Sequence, residues 1–254
     1  MSSENPNFDL GQHFLVDEKV IKKFIHFGGI KSDDKIIEIG AGTGIITEKI
    51  LEKKPAKLLA FEIDKNFISE LEKLKSKNLE IVQSNAIEHS WKGYNKICAS
   101  IPYYLAEQII LKAIENSEIQ EMILICGENF KKILEEKAEK VGIVSDWYYK
   151  FSPIEKISKI SFNPAPRVNS WIIKLERKKE FSNKTDEILA NILSKNGKIK
   201  NAILYSLVES GKTKNQAREI IEKMNLNKET LDKSVKSITG KFLIILKNKL
   251  KEKL

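Results

Sequence analysis

The sequence predicts an α/β chain: a doubly wound, mostly parallel nucleotide-binding sheet followed by a small all-helical domain. Three observations carry that expectation. Apolar runs of strand length alternate with helical patterns from Ile36 to Lys140, as parallel strands joined by helical crossovers do. The first run, Ile36-Ile37-Glu38-Ile39, ends in Gly40-Ala41-Gly42-Thr43-Gly44, and a helical pattern follows at once. After Lys179 strands cease and every apolar period is helical.

In order along the chain, Met1 to Pro6 is polar and lacks the apolar run of a signal peptide. Gly11-Gln12-His13-Phe14-Leu15 then precedes a helix from Asp17, with Val20, Ile21, Phe24 and Ile25 on one face. Gly28-Gly29 is expected to end it, because glycine takes the left-handed C-terminal conformation readily. The Gly40 to Gly44 turn must bend sharply and admit a ligand to the backbone, so Cβ atoms would be in the way. Its spacing is G-x-G-x-G with Glu38 in front, not the dinucleotide fingerprint G-x-G-x-x-G, which points away from NAD and towards the adenosine of S-adenosylmethionine. A second strand, Lys57 to Phe61, ends in Glu62, placed to accept ribose hydroxyls.

A helix from Lys65 to Lys77 leads to a third strand, Leu79 to Gln83, and to Ser84-Asn85-Ala86. The fourth strand, Asn95 to Ala99, leads to Ser100-Ile101-Pro102-Tyr103, and the fifth, Met122 to Cys126, to a charged helix through Lys140. From Asp146 to Glu176 the runs Trp147-Tyr148-Tyr149 and Trp171 to Leu175 suit an antiparallel edge. Helices are then expected over Ile188 to Leu193, Ile199 to Val208, Ala217 to Met224 and Phe242 to Leu250, with Thr213 and Thr239 as N-caps. The boundary between the two domains, residues 1–178 and 179–254, falls where the charge balance shifts.

That shift is large. Residues 1–176 hold 25 Lys and Arg against 26 Asp and Glu, whereas 177–254 hold 19 against 9, so the net charge of +9 comes from the helical segment. An anionic polymer is the natural partner of such a surface; a lysine-rich solvated face is the plainer alternative. No apolar stretch reaches 18 residues, so no membrane span is expected. Cys98 and Cys126 sit in apolar runs far apart and read as buried thiols of a cytoplasmic protein. His13, His26 and His89 share no ligand spacing, so no metal site is expected.

In a doubly wound sheet the ligand lies at the carboxyl ends of the strands. Those ends carry Glu38 and Gly40, Glu62, Asn85 and Ser100. Ser100-Ile101-Pro102-Tyr103 has the composition of a clamp for a flat, amino-bearing ring. An exocyclic amine can donate to the Ser100 hydroxyl and the Ile101 carbonyl, Pro102 aims that carbonyl by fixing φ, and Tyr103 offers a stacking face.

At these residues the chain resembles the ribosomal RNA adenine N6,N6-dimethyltransferases and their archaeal and eukaryotic relatives, with the erythromycin-resistance methyltransferases as cousins. Gly11 to Leu15 resembles the family's G-Q-[NH]-F-L motif, Glu38 to Gly44 its cofactor loop, and Phe162-Asn163-Pro164-Ala165-Pro166-Arg167-Val168-Asn169-Ser170 its F-x-P-x-P-x-V-x-S segment. Gly197 to Leu204 resembles the basic stretch of its helical domain. The resemblance implies a Rossmann-like class I methyltransferase sheet with a basic, RNA-binding helical domain, S-adenosylmethionine as cofactor, and adenines of small-subunit ribosomal RNA as substrate, two adjacent ones being dimethylated. It further implies an immature small ribosomal subunit as partner, a role in ribosome biogenesis, and a monomer in the cytoplasm. His13 and Leu15 would close over the methionine end of the cofactor. Gly40 and Gly42 would approach it by backbone, Glu62 would hold the ribose and Asn85 would face the adenine, with Gln12, Ala41, Ile63 and Ala86 also bordering the cofactor. Ser100, Ile101, Pro102 and Tyr103 would clamp the target adenine, Ser100 also bordering the cofactor, with Phe162 stacking from the other side. The chain departs from the family pattern at Asn85, where Asp is usual, at Ser100, where Asn is usual, and over residues 127–145. These departures motivate a second possibility, an RNA-binding factor for small-subunit assembly that turns over slowly or not at all.

Overall fold

The computed structural model describes residues 13–101 and 105–254. Two compact units divide the chain: Met1–Glu135 with Tyr149–Arg177, and Glu136–Tyr148 with Lys178–Leu254.

The first unit contains β1 (Phe14–Leu15), α1 (Glu18–Gly28), β2 (Lys35–Ile39), α2 (Ile45–Leu51), β3 (Lys57–Glu62), α3 (Ile68–Glu72) and β4 (Leu79–Gln83). It continues with β5 (Lys96–Ser100), α4 (Ala106–Glu115), β6 (Glu121–Gly127), α5 (Glu128–Glu135), β7 (Tyr149–Ile157), β8 (Phe162–Asn163) and β9 (Ser170–Arg177). Seven strands form one sheet in the order β4-β3-β2-β5-β6-β9-β7. Strands β2 to β6 are parallel, and β9 runs antiparallel between β6 and β7, so the expected antiparallel edge is present. The inner strands are near-continuous apolar runs because both faces are covered. From α1, Ile21, Phe24 and Ile25 pack with Ile46 and Ile50 of α2 against Ile36, Leu58, Cys98 and Ile123 of the sheet.

Strand order turns back between β2 and β5. The chain winds outward through β3 and β4, then returns to place β5 on the other side of β2, with Glu38 opposite Cys98. The loops after β2 and β5 therefore diverge and leave a crevice at the strands' carboxyl ends.

Helix α1 is capped at both ends, at its C-terminus by the glycine expected there. The Asp17 carboxylate accepts from the backbone N–H groups of Lys19 and Val20, and Gly29 closes the helix at φ 50°. Three expectations are corrected. The charged helix drawn through Lys140 ends at Glu135, and a separate helix starts at Glu139. The helix drawn from Lys65 to Lys77 is a 3₁₀ turn, Lys65–Phe67, followed by the short α3. Lys73 and Leu74 bond back only three residues, to Glu70 and Leu71, which tightens and ends it. Trp147 and Tyr148, read as the start of a strand, instead complete a helix, and the strand begins at Tyr149. Aromatic content suits either element, and burial of Trp147 decides it.

The second unit is helical: α6 (Glu139–Tyr148), α7 (Lys184–Ser194), α8 (Ile199–Glu209), α9 (Lys214–Lys223), α10 (Lys228–Asp232) and α11 (Gly240–Lys251). Thr213 forms a capping box with Gln216, and Thr239 accepts from the Phe242 N–H, both as expected. A Cβ at Gly240 would lie 2.8 Å from the Glu139 carbonyl carbon, so only glycine lets α11 start against α6. That close approach helps to explain why α6, distant in sequence, belongs with the C-terminal helices. No helix among the described residues is long and apolar enough to cross a membrane.

At the amino ends of the strands of the first unit, one buried lysine ties four elements together. Lys96 Nζ, on a side chain 5% exposed, sits 2.8 Å from Asp34 and 3.2 Å from Glu121, and donates to the carbonyls of Gly28 and Gly29. Burial alone would push the Asp34 carboxyl up. The Lys96 ammonium, the Lys31 N–H and the Asn95 amide outweigh it and hold that carboxyl below its ordinary value. Lys96→Met should therefore destabilise by about 3–5 kcal/mol, since it leaves a buried carboxylate uncompensated. Adding Asp34→Asn should recover much of the loss. Urea midpoints of the three proteins measure this, and a Lys96→Met midpoint equal to wild type would contradict it.

Candidate active site

The loop after β2 takes its shape from three glycines in the left-handed region, Gly40 at φ 73°, Gly42 at 52° and Gly44 at 81°. Space matters as well as conformation. A Cβ at Gly42 would stand 3.1 Å from the Phe14 ring, and one at Gly44 would stand 3.1 Å from Leu71. The backbone N–H groups of Gly40 and Ala41 both donate to the Phe61 carbonyl, which folds the loop over the end of β3.

Glu62 completes that junction. Its Oε2 accepts from the Gly42 N–H at 2.7 Å, and its Oε1 accepts from the N–H groups of Ile63 and Asp64, both at 2.8 Å. A carboxylate offers about four lone-pair positions. Three are filled, and one on Oε2 remains for a ligand hydroxyl. The next residue, Ile63, leaves 52% of its surface open beside the cavity, an apolar face suited to a flat ring.

The roof comes from two segments about 150 residues apart in sequence. β1 and β8 pair antiparallel, Phe14 opposite Asn163 and Leu15 opposite Phe162. His13 Nδ1 lies 2.8 Å from the Pro164 carbonyl. Since a carbonyl only accepts, Nδ1 carries a proton, which in the neutral ring leaves Nε2 as the acceptor. The Val16 N–H donates to the Ser161 carbonyl, and the Ser161 hydroxyl donates to Asp17, so the helix cap also anchors the ribbon. Phe14 packs on Phe67 with ring centroids 5.1 Å apart.

On the opposite wall Asn85 caps a 3₁₀ turn, its Oδ1 accepting from the Ile87 N–H while Nδ2 donates to Glu88 at 3.3 Å. Ala86 is held by the Trp91 indole, which donates to its carbonyl. Ser100 ends β5, and the Ile101 N–H donates to the Ile125 carbonyl.

These groups enclose a cavity of about 430 Å³, within the range of small-molecule sites. Of the residues expected from sequence, it brings together His13, Leu15, Gly40, Ala41, Gly42, Glu62, Ile63, Asn85, Ala86, Ser100, Ile101 and Phe162. Gln12, Pro102 and Tyr103 lie outside the described residues. Sequence reasoning missed Ser84, Leu105, Ile125 and Ser170 as lining residues. Ser84 was signalled by following a strand's end, and Ser170 by closing the F-x-P-x-P segment. The arrangement is apolar with a few polar groups at defined points: a carboxylate and backbone N–H groups at the β2/β3 end, and a hydroxyl at the β5 end. It suits a nucleoside cofactor at one end and a second polar ring at the other. Among the described residues no cluster of His, Cys, Asp or Glu could hold a metal ion.

Comparison with known proteins matches the family described as ribosomal RNA adenine dimethylase to residues 3–241. A ribosomal RNA small subunit methyltransferase A from Mycoplasmopsis pulmonis is 36% identical over 179 residues, covering 66% of this chain and 70% of its own length. A probable ribosomal RNA small subunit methyltransferase A from Methanococcus maripaludis is 30% identical over 230 residues, covering 85% and 87%. The crystal structure of a dimethyladenosine transferase from Plasmodium falciparum shares the fold with a TM-score of 0.66 at 22% identity, over 95% of this chain and 98% of that one.

Glu38, the acid before the first glycine, does not line the cavity. It is 2% exposed, and its Oε2 has no hydrogen-bond partner. Burial pushes its carboxyl up to about 8, against the lowering influence of Thr47 and with a further push from the Glu62 charge. A folded-state value raised above the unfolded one makes a contribution that is complete at low pH and is lost as pH rises towards 8. Glu38→Gln should remove that loss. Its stability relative to wild type should improve between pH 5 and pH 8 by on the order of 4 kcal/mol, at about 1.4 kcal/mol per pKa unit. Denaturant titrations of both proteins at the two pH values test this, and parallel behaviour would refute the neutral carboxyl.

Proposed function

The chain belongs to the ribosomal RNA adenine dimethylase family, and we propose that it transfers methyl groups from S-adenosylmethionine to the N6 amine of adenines in small-subunit ribosomal RNA. Two successive transfers on each of two adjacent adenines, during assembly of the small subunit in the cytoplasm and by a monomer, is the full form of the proposal. The observation that carries it is the single cavity shared by the glycine loop, Glu62, the β1/β8 roof and Ser100.

The residues fit the cofactor by their chemistry. Glu62 has one open lone pair for a ribose hydroxyl, and a second hydroxyl can be accepted if the Gly42 N–H yields its place on Oε2. Ile63 and Ala86 offer apolar contact to the adenine, and Asn85 a polar edge. His13 Nε2, an acceptor, suits the ammonium of the methionine end. Bound S-adenosylmethionine supplies the sulfonium methyl group.

The protein's own part is to bind and orient the target. An adenine removed from its stack costs a few kcal/mol, offset by contact with Phe162. The amine nitrogen is a poor nucleophile because its lone pair is delocalised into the ring. Hydrogen bonds from its N–H groups, two before the first transfer and one before the second, to the Ser100 hydroxyl and the Ile101 carbonyl favour a pyramidal nitrogen with the lone pair aimed at the methyl, and the nitrogen gives up one proton for each methyl gained. Positioning then provides most of the acceleration, and a strong base is not required.

Glu62→Gln should weaken S-adenosylmethionine binding by roughly tenfold or more, because a charged acceptor contributes about 1.5–3 kcal/mol. Titration calorimetry with a thermal melt of the same sample checks this; a folded variant that titrates like wild type removes the ribose assignment.

Ser100→Ala should slow methyl transfer roughly tenfold, the scale of one hydrogen bond, with RNA affinity unchanged, since the lost contact is at the reacting nitrogen. Single-turnover transfer to undermodified small subunits, with binding measured in parallel, is the test of the proposed function. A wild-type protein that binds subunits at saturating cofactor and methylates nothing is an assembly factor, and the enzymatic proposal falls.

A further inference from the structure

The cavity wall after β4 stands on a braced turn. The Ala86 carbonyl accepts from the Trp91 indole at 3.0 Å, and the Ile87 carbonyl accepts from the Lys112 ammonium of α4. Within the turn, the Glu88 N–H bonds back to the Asn85 carbonyl. The backbone from 85 to 88 is thereby held from outside the turn as well as within it, and so are the two groups that meet the Asn85 side chain. The Ile87 N–H lies 3.1 Å from Oδ1, and the Glu88 carboxylate lies 3.3 Å from Nδ2.

These two neighbours decide which way the amide faces. A backbone N–H only donates and a carboxylate only accepts. Turned over, the amide would set donor against donor at Ile87 and acceptor against acceptor at Glu88. An amide oxygen has two lone pairs; one is used by Ile87, and the other is left on a residue that lines the cavity. An aspartate at this position would need no such hold, because both of its oxygens accept whichever way it turns. It would also bring a second carboxylate against Glu88, and like charges so close disfavour each other. Asn85 and Glu88 therefore fit as a pair. The amide needs the acid to keep its orientation, and the acid is tolerated because the amide carries no charge.

We propose that Glu88 is a positioning residue for the cofactor, acting through Asn85. It keeps the amide oxygen in place as an acceptor, so that this wall takes a ring bearing an amine, adenine, and rejects one bearing a carbonyl in its place, hypoxanthine. The inference rests on the S-adenosylmethionine reading above and adds to it a residue outside the cavity lining that governs selectivity for the base.

The test is titration calorimetry of the full chain with S-adenosylhomocysteine and with S-inosylhomocysteine, in which a carbonyl replaces the amine. Wild type should prefer the adenosyl compound by roughly tenfold or more, the scale on which a mismatched polar group is rejected. Glu88→Ala should weaken adenosyl binding by about two- to tenfold, the scale of one hydrogen bond. It should leave inosyl binding equal or tighter, so the preference narrows. Glu88→Gln should keep the wild-type preference, because its amide oxygen still accepts from Nδ2. In an Asn85→Asp background the sign reverses, and Glu88→Ala should tighten adenosyl binding by relieving repulsion between two acids. Thermal melts of the same samples separate unfolding from lost binding, and little change is expected because Glu88 is exposed. A merely structural role would shift both ligands alike in both backgrounds. That result, or an adenosyl-to-inosyl ratio unmoved by Glu88→Ala, overturns the inference and leaves the proposed function standing. A folded wild-type protein that binds neither compound removes the cofactor reading, and the inference falls with it.

Discussion

Three backbone N–H groups converge on the Glu62 carboxylate, and the geometry of the whole cavity depends on that convergence. Two of them belong to the residues after β3 and one to the glycine loop after β2, so one side chain joins the ends of two adjacent strands. The loop can present its Gly42 N–H only because glycine tolerates a left-handed backbone. The same absence of a side chain leaves room for the Phe14 ring, which brings the β1/β8 ribbon down as a roof. A single acid thus sets the floor of the site directly and its roof through one glycine. The geometry also implies a constraint on evolution at this position, because any replacement must satisfy three donors before it can serve a ligand.

The strands of the parallel sheet were legible in sequence because each is covered on both faces and so reads as an unbroken apolar run. Caps were equally plain: Gly29, Thr213 and Thr239 act through atoms within three residues of their own position. What the sequence did not disclose on physical grounds was pairing at a distance. Nothing local to Phe14 or Phe162 says that they share a ribbon, and only the resemblance placed both near one ligand. Trp147 shows the same limit in another form, since its place in a helix follows from burial in a unit assembled from distant segments. Glu38 is a third case. Its position before the glycines suggested a ligand contact, but its burial away from the cavity is a property of packing alone.

The two departures from the family pattern have different physical weight. Asn85 keeps the acceptor that caps the turn after β4, so the backbone there is as well supported as it would be with an acid. What changes is the charge on this wall of the cavity, and the amide donates to Glu88. At Ser100 a hydroxyl stands where the family pattern has a carboxamide, and it is the shorter of the two. Charge, meanwhile, is partitioned by unit. The sheet-bearing part of the chain is close to neutral and the helical part strongly basic.

The ribbon that roofs the cavity has a consequence for synthesis. Phe14 and Leu15 leave the ribosome about 150 residues before their partners, Asn163 and Phe162. Until those emerge, the glycine loop and Glu62 lack the paired ribbon that roofs them. Closing so long a loop carries an entropic cost that local contacts cannot offset early. A nascent chain of this protein therefore acquires its sheet piecemeal but its pocket all at once, late in translation, and a molecule truncated before residue 162 would lack the pocket's lid.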